Sequence, residues 1–246
     1  MEQFHILEIL NSWTTNMGRK KHQNLKSITH LTRKIESKSP KKIYLIACEG
    51  ECTEPNYIKG LVKHQKDQGK IALGTEIKFS RHSHSDPYGV LQDLLNTPNL
   101  DFFDELWIVI DRDEVELKGK GFGGHSKENF NKTLEESQNK NVSIACSNPC
   151  FEFWILLHFE YRDTACTREE IQKKALEKVN TILGKEKQIR KVDELKSIEN
   201  LYDLLKSKVD VAVKNANKLK VNESKKQNPS TGMFKLLESL YEMQEL

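Results

Sequence analysis

Cysteine is scarce, five in 246 residues, which is far below the density of a disulfide-stapled scaffold, and an odd count leaves at least one thiol unpaired. Six prolines and twelve glycines exclude collagenous and low-complexity chains. Long apolar runs are missing too, since no stretch reaches the ~18 consecutive apolar residues of a membrane-spanning helix. Met1-Glu2-Gln3 puts an acidic residue where a signal peptide carries basic ones. These absences lead to the expectation of a cytoplasmic protein with reduced cysteines and no membrane contact. What is present, 37% hydrophobic and 30% charged residues, is enough apolar sequence for a globular core, so neither a disordered nor a fibrous protein fits.

The net charge of +3 is unevenly spread. Met17 to Lys42 carries nine Lys or Arg, among them Lys20 and Lys21, against Glu36 alone, whereas residues 43–246 are slightly acidic. A basic arm on an acidic body suits contact with phosphate backbones; the plainer reading is a solvated tail. Residues 1–16, with Phe4, Ile6, Leu7, Ile9, Leu10 and Trp13, read as an amphipathic docking helix.

Apolar runs at Ile43–Cys48, Glu76–Ser80, Leu106–Ile110 and Val142–Cys146 predict four strands. Helical segments separate them: one from Pro55 with Thr53 as N-cap, one opened by Asp86-Pro87, and one capped by Ser126 and running through Leu134. Strands alternating with helices predict an α/β fold, a mainly parallel sheet flanked by helices. After Pro149 the strand pattern ceases. Phe151 to Phe159 reads as a helix buried against the sheet. Lys- and Glu-rich helical stretches then run to about Leu219, a turn falls at Asn228 to Gly232, and a last helix at Met233 to Tyr241. The expected organisation is a basic arm (1–40), a core (41–160) and a helical C-terminal region (161–246).

Ligands of parallel α/β sheets bind beyond the carboxyl ends of the strands. Glu49 ends the first strand, and Asp111 and Asp113 end the third, where alternate residues of extended backbone point the same way. Hard oxygen donors without thiolate or imidazole neighbours suggest Mg²⁺ or Mn²⁺, and the mutual repulsion of gathered carboxylates makes a cation their natural companion. Metal-bound carboxylates suit phosphoryl chemistry.

Other candidates have two readings each. Glu51 and Glu54 lie at a helix start, where carboxylates are favoured anyway. Asn148, Glu152 and His158 follow the fourth strand, either supporting a site or making structural hydrogen bonds. Cys48, Cys52, Cys146 and Cys150 read mainly as core residues, with a four-thiolate zinc site as the alternative. His82, His84, Lys118, Lys120 and Lys127 lie in loops and could touch substrate phosphate or only solvent.

A buried strand ending Glu-Gly, followed about sixty residues later by one ending Asp-x-Asp, resembles the pattern of the Toprim domain. The segments Leu45 to Tyr57, Asp111-Arg112-Asp113, Ser147 to Phe159 and Asn228-Pro229-Ser230-Thr231 together resemble the RloB family of bacterial proteins. The resemblance implies a Toprim-like fold and a Mg²⁺-dependent (or Mn²⁺-dependent) nuclease of antiphage defence and abortive infection. It implies Glu49 as acid or base and metal ligand, with Asp111 and Asp113 as the further ligands. It implies a nucleic acid substrate, RNA (tRNA included) or DNA, and an ATPase partner; self-assembly is left open. Because the family begins near such a basic leader, the resemblance also makes residues 1–16, ahead of Met17, an upstream extension as the alternative to a docking helix. Supporting or substrate-binding roles fall on Thr53, Glu54, Asn148, Glu152, His158, Ser230, Thr231, Lys20 and Lys21. The alternative is a nucleic-acid-binding or effector-docking module with no catalysis of its own. A small-molecule phosphatase or kinase is disfavoured, because no G-x-x-x-x-G-K-[ST] phosphate loop is present.

Overall fold

The computed structural model describes residues 42–112, 125–220 and 228–241. The basic arm, with Lys20 and Lys21, lies outside them, as do Asp113, Lys118 and Lys120.

Strand β1 (Ile43–Cys48) is buried along nearly its whole length, as the apolar run predicts for a central strand covered on both faces. Helix α1 (Thr53–Asp67) follows, then β2 (Glu76–Phe79) and α2 (Pro87–Leu95). Next come β3 (Glu105–Asp111), α3 (Lys127–Asn139) and β4 (Ser143–Asn148). Strands β1 to β4 are mutually parallel in the order β2-β1-β3-β4. The chain steps outward from β1 to β2 and then back past β1 to β3, so β1 and β3 flank the point where the strand order reverses.

The strand alternation divides the core. Tyr44, Ile46 and Cys48 of β1 and Trp107 and Val109 of β3 face one cluster. Leu45 and Ala47, with Ile108 and Ile110, face the other. Helix α2 covers the second face with Val90, Leu91 and Leu94, while α1 contributes Tyr57, Ile58 and Leu61 to the first. A single, right-handed sense of crossover requires this split when the direction of travel reverses.

The expected caps are seen for α2 and α3, where the Asp86 and Ser126 side chains accept from the backbone N–H groups of Gly89 and Asn129. The expected N-cap of α1 is not. Cys52 occupies that position with no side-chain bond, and Thr53 is already helical, its hydroxyl turned instead to donate to the Lys196 carbonyl at 3.1 Å. Helix α3 also runs past Leu134 to Asn139.

The short helix α4 (Glu152–Leu157) is buried on every residue, as its all-round apolar sequence predicts. Helices α5 (Arg168–Leu183), α6 (Val192–Lys196), α7 (Leu201–Leu205) and α8 (Val209–Lys220) follow. They pack with α1 and α4 in the first cluster. Helix α5 begins with a capping box, Thr167 and Glu170 each accepting from the other's backbone N–H. Helices α1 and α7 approach so closely at Gly60 that a Cβ there would stand 2.7 Å from the Tyr202 Cβ.

A fifth strand corrects the expectation that strands stop at Pro149. Ser230–Thr231 forms β5, antiparallel to the end of β4 through Ser147↔Thr231 and Asn148↔Ser230. Helix α9 (Met233–Tyr241) then closes the first core cluster with Phe234, Leu237 and Leu240. Two residues rich in hydroxyls carry no strand periodicity, so the pairing with β4 is what makes them a strand.

Candidate active site

A cleft of about 570 Å³ opens at the carboxyl edge of the sheet beside β1 and β3, the place where open α/β sheets bind ligands. Glu49 enters it directly after β1, and its backbone N–H still bonds to Val109 of β3 at 2.9 Å. The Glu49 carboxylate is held at both oxygens. Oε2 accepts from the Asp111 backbone N–H at 3.0 Å, and Oε1 pairs with His125 Nε2 at 2.9 Å. Asp111, the last residue of β3, is 5% exposed, and its Oδ2 faces Arg168 Nη2 at 3.5 Å.

Two further carboxylates reach the same space. Glu54, in the first turn of α1, is buried against Gly50, where any side chain would collide with its carboxyl oxygens. Glycine at position 50 is therefore what makes room for it. Glu152 of α4 is 2% exposed; Gln172 Nε2 donates to its Oε1 at 3.3 Å, and Lys196 Nζ lies 3.8 Å from the same atom. Thr53 also lines the cleft.

Burial and mutual repulsion act on Glu54 and Asp111 in one direction. Desolvation, reinforced by Glu152 and Glu49, pushes Glu54 up to about 7, against backbone hydrogen bonds that lower it. Asp111 is raised well above the usual carboxylate range, first by burial and then by Glu49, Glu54 and Glu152, with Arg168 opposing. His125 is raised by its hydrogen bond to Glu49. Counting Glu169 and Asp193 at the rim, the cleft gathers six carboxylates against Arg168, Lys196 and one histidine. An anionic substrate therefore needs added positive charge to enter.

Several predicted residues lie elsewhere. His158 is buried in the core: its Nδ1 bonds to the Trp154 carbonyl at 2.9 Å and its Nε2 to the Tyr57 hydroxyl at 2.9 Å. Asn148, Ser230 and Thr231 form the β4–β5 pair, where the Thr231 hydroxyl meets that of Ser147 at 3.0 Å and accepts from the Met233 N–H. None of these four lines the cleft. Glu51 is exposed. His82 Nε2 donates to the Glu49 carbonyl at 3.0 Å, and His84 is tied to Asp93 at 2.8 Å, so this loop is anchored by its histidines. Lys127 is exposed at the start of α3.

The core reading holds for Cys48 and Cys150, which are buried, and is corrected for Cys52, which lies at the exposed start of α1, while Cys146 is half-buried. Burial raises the Cys48 and Cys150 thiols well above their ordinary value and pushes Cys146 up to about 12, the reverse of what a zinc thiolate needs. Among the described residues no group of three or more His, Cys, Asp or Glu is arranged to hold a metal ion.

Three basic groups of the cleft were missed by the sequence reading, His125, Arg168 and Lys196, and the His125 imidazole on Glu49 corrects the expectation of acids without an imidazole neighbour. His125 had a weak signal, its place between the glycine-rich loop and the Ser126 cap. Arg168 and Lys196 had none, being basic residues of Lys- and Glu-rich helices.

Among the described residues no helix is long and apolar enough to cross a membrane. No curated protein and no solved structure matches the chain. The family model for RloB-like proteins matches residues 44–240, a span that contains both walls of the cleft and the β4–β5 pair, and the chain belongs to that family.

Proposed function

We propose that this protein is a metal-dependent nuclease that hydrolyses nucleic acid phosphodiester bonds, RNA foremost, in bacterial antiphage defence beside an ATPase partner. The observation that carries this reading is the gathering of Glu49, Glu54, Asp111 and Glu152 around one cleft at the strand-order reversal. Four carboxylates brought together and desolvated are costly unless positive charge compensates them.

The donor chemistry fits Mg²⁺ or Mn²⁺. Mg²⁺ is commonly held by one or two carboxylates plus substrate phosphate oxygens and water, and Glu49 and Asp111 supply two such side chains. Asp113, the expected third, lies outside the described residues. When bound, such an ion stabilises charge on a phosphoryl group and lowers the pKa of a bound water. The chain's own contribution is orientation. The Asp111 N–H and His125 fix the Glu49 carboxylate, leaving it placed to accept or return a proton at the reacting oxygen. Gly50 keeps Glu54 against the same wall.

A second reading is favoured by one observation: Glu49 and Asp111 are already engaged by His125 and Arg168, as they would be in a binding module with a purely structural acidic cluster. Cleavage of a panel of tRNA, single-stranded RNA and plasmid DNA by wild type and Glu49→Gln, in Mg²⁺, Mn²⁺ or EDTA, separates the two. The nuclease reading expects metal-dependent cutting that falls by about 10²-fold or more in the variant. Equal cutting in EDTA, or by Glu49→Gln, overturns it. Binding without cutting by both proteins favours the second reading.

A further inference from the structure

The two walls of the cleft differ in charge and in origin. The sheet side brings carboxylates that are nearly inaccessible, the Asp111 and Glu152 side chains being 8% and 3% exposed. The facing side, built by α5 and α6, brings Arg168 and Lys196, whose side chains are 35% and 38% exposed, together with Glu169 and Asp193 at the rim. Arg168 reaches Asp111 at 3.5 Å and Lys196 reaches Glu152 at 3.8 Å, against about 2.7–2.9 Å for a well-made charge-assisted bond. Both cations thus lie over the cleft, beside the buried acids and partly open to solvent.

Both cations are also anchored from a distance through their backbones. The Thr53 hydroxyl donates to the Lys196 carbonyl, tying the end of α6 to the start of α1. The Asn228 side-chain amide clamps Cys166, its Nδ2 donating to the Cys166 carbonyl at 3.1 Å and its Oδ1 accepting from the Cys166 N–H at 3.2 Å. Cys166 immediately precedes the Thr167 cap, so the clamp fixes the point from which Arg168 projects. Thr53 and Asn228 both belong to segments singled out in the sequence, and the bonds described run to backbone atoms.

We propose that Arg168 and Lys196 form a phosphate-binding subsite, which grips the backbone of the nucleic acid across the cleft from Glu49 and Asp111. The substrate class rests on the nuclease reading above. Among the described residues that line this carboxylate-rich cleft, these two are the Lys and Arg side chains, and the planar guanidinium suits two phosphate oxygens at once. Asn228 and Thr53 are positioning residues for the subsite.

The test is fluorescence anisotropy of the full chain with a fluorescein-labelled single-stranded RNA in Ca²⁺, at several NaCl concentrations, with the probe checked intact on a gel after each titration. Arg168→Ala and Lys196→Ala are each expected to raise Kd about fivefold to tenfold and to reduce the slope of log Kd against log salt by about 0.7, the loss of one phosphate contact. Arg168→Lys retains the slope. Lys178→Ala, which removes the same charge from a residue paired with Glu160 at 2.8 Å and about 15 Å further along α5, changes Kd less than about twofold. Arg168→Gln and Lys196→Gln carry the comparison if circular dichroism shows the alanine forms unfolded.

A folded double variant that binds within about twofold of wild type with an unchanged salt slope overturns the subsite and leaves the nuclease reading standing. Wild type that binds no RNA overturns the subsite as well. Binding that depends on both residues, by a wild type that cuts nothing in Mg²⁺ or Mn²⁺, keeps the subsite and removes the nuclease reading.

Discussion

Replacing His158 by Gln should change the way stability responds to acid, and the size of the change follows from the core. The Trp154 carbonyl can only accept, so His158 Nδ1 carries the proton; Nε2 is then the acceptor for the Tyr57 hydroxyl. The imidazole is 1% exposed, and burial brings its pKa down from 6.5 to about 4. Protonation would place a second N–H against a hydroxyl that already donates to that nitrogen. Because the folded state holds the neutral form, the contribution of His158 is present above pH 6.5 and is lost as pH falls toward 4, where the unfolded chain takes up a proton that the folded one refuses. The full effect is about 3 kcal/mol, at ~1.4 kcal/mol per pH unit. In the wild type alone it is masked. Glu54, raised from 4.5 to about 7, is favoured protonated in the fold, so its contribution grows as pH falls through the same window. The difference between wild type and His158→Gln removes Glu54 from the comparison. Urea unfolding followed by tryptophan fluorescence should show wild type more stable by about 1–3 kcal/mol near neutral pH, the cost of disturbing a buried hydrogen bond. That advantage should shrink by ~1.4 kcal/mol per unit below about pH 6.5 and vanish or invert by about pH 4.5. A constant difference across the range would refute the assignment of a neutral, desolvated His158.

Gly50→Ala should leave the fold intact, since the displaced group is the end of the Glu54 side chain, yet lower metal-dependent cleavage by about tenfold or more as that carboxyl leaves the wall. At the α1–α7 contact, Gly60→Ala should cost about 1–3 kcal/mol in chemical denaturation, because backbone and Tyr202 must separate; an unchanged midpoint would show that the contact yields. Asn228→Ala removes the hydrogen bonds to Cys166 and should raise Kd for RNA while sparing the Glu49 side of the cleft, a pattern seen as weaker binding with an unchanged pH dependence of cleavage. Thr231→Val should lower stability by ~1 kcal/mol through its hydroxyl partners, with cleavage altered less than about twofold.

The parallel sheet was legible because β1 and β3 are unbroken apolar runs that end abruptly in Glu49-Gly50 and Asp111, and a doubly covered strand must look like that. Asp86 and Ser126 were legible as caps because each precedes a helical apolar pattern. Thr53 misled for the same reason: its residue type fits a cap, while the helix already includes it and its hydroxyl serves a carbonyl 143 positions away. His158 carried a family motif, and its partners Tyr57 and Trp154 give that motif a structural meaning. Ser230 and Thr231 have no propensity that would announce a strand. Arg168 and Lys196 look like any surface cation of a charged helix, and only the packing of α5 and α6 beside the sheet brings them to the carboxylates. Local pattern thus reveals the wall that the strands end on, and long-range packing supplies the wall that faces it.

The Asn228 clamp and the β4–β5 pair also set an order in time. Glu49, Asp111, Arg168 and Asn228 are spread through the chain, so during synthesis the sheet edge with its acids emerges well before the segment that fixes the opposing cations. The β5 strand and α9 must leave the ribosome before the Cys166 segment is tied down and the first core cluster is sealed. A partly made chain therefore has the carboxylates without the completed cleft. The wall that faces the acids is thus the part of the cleft completed last.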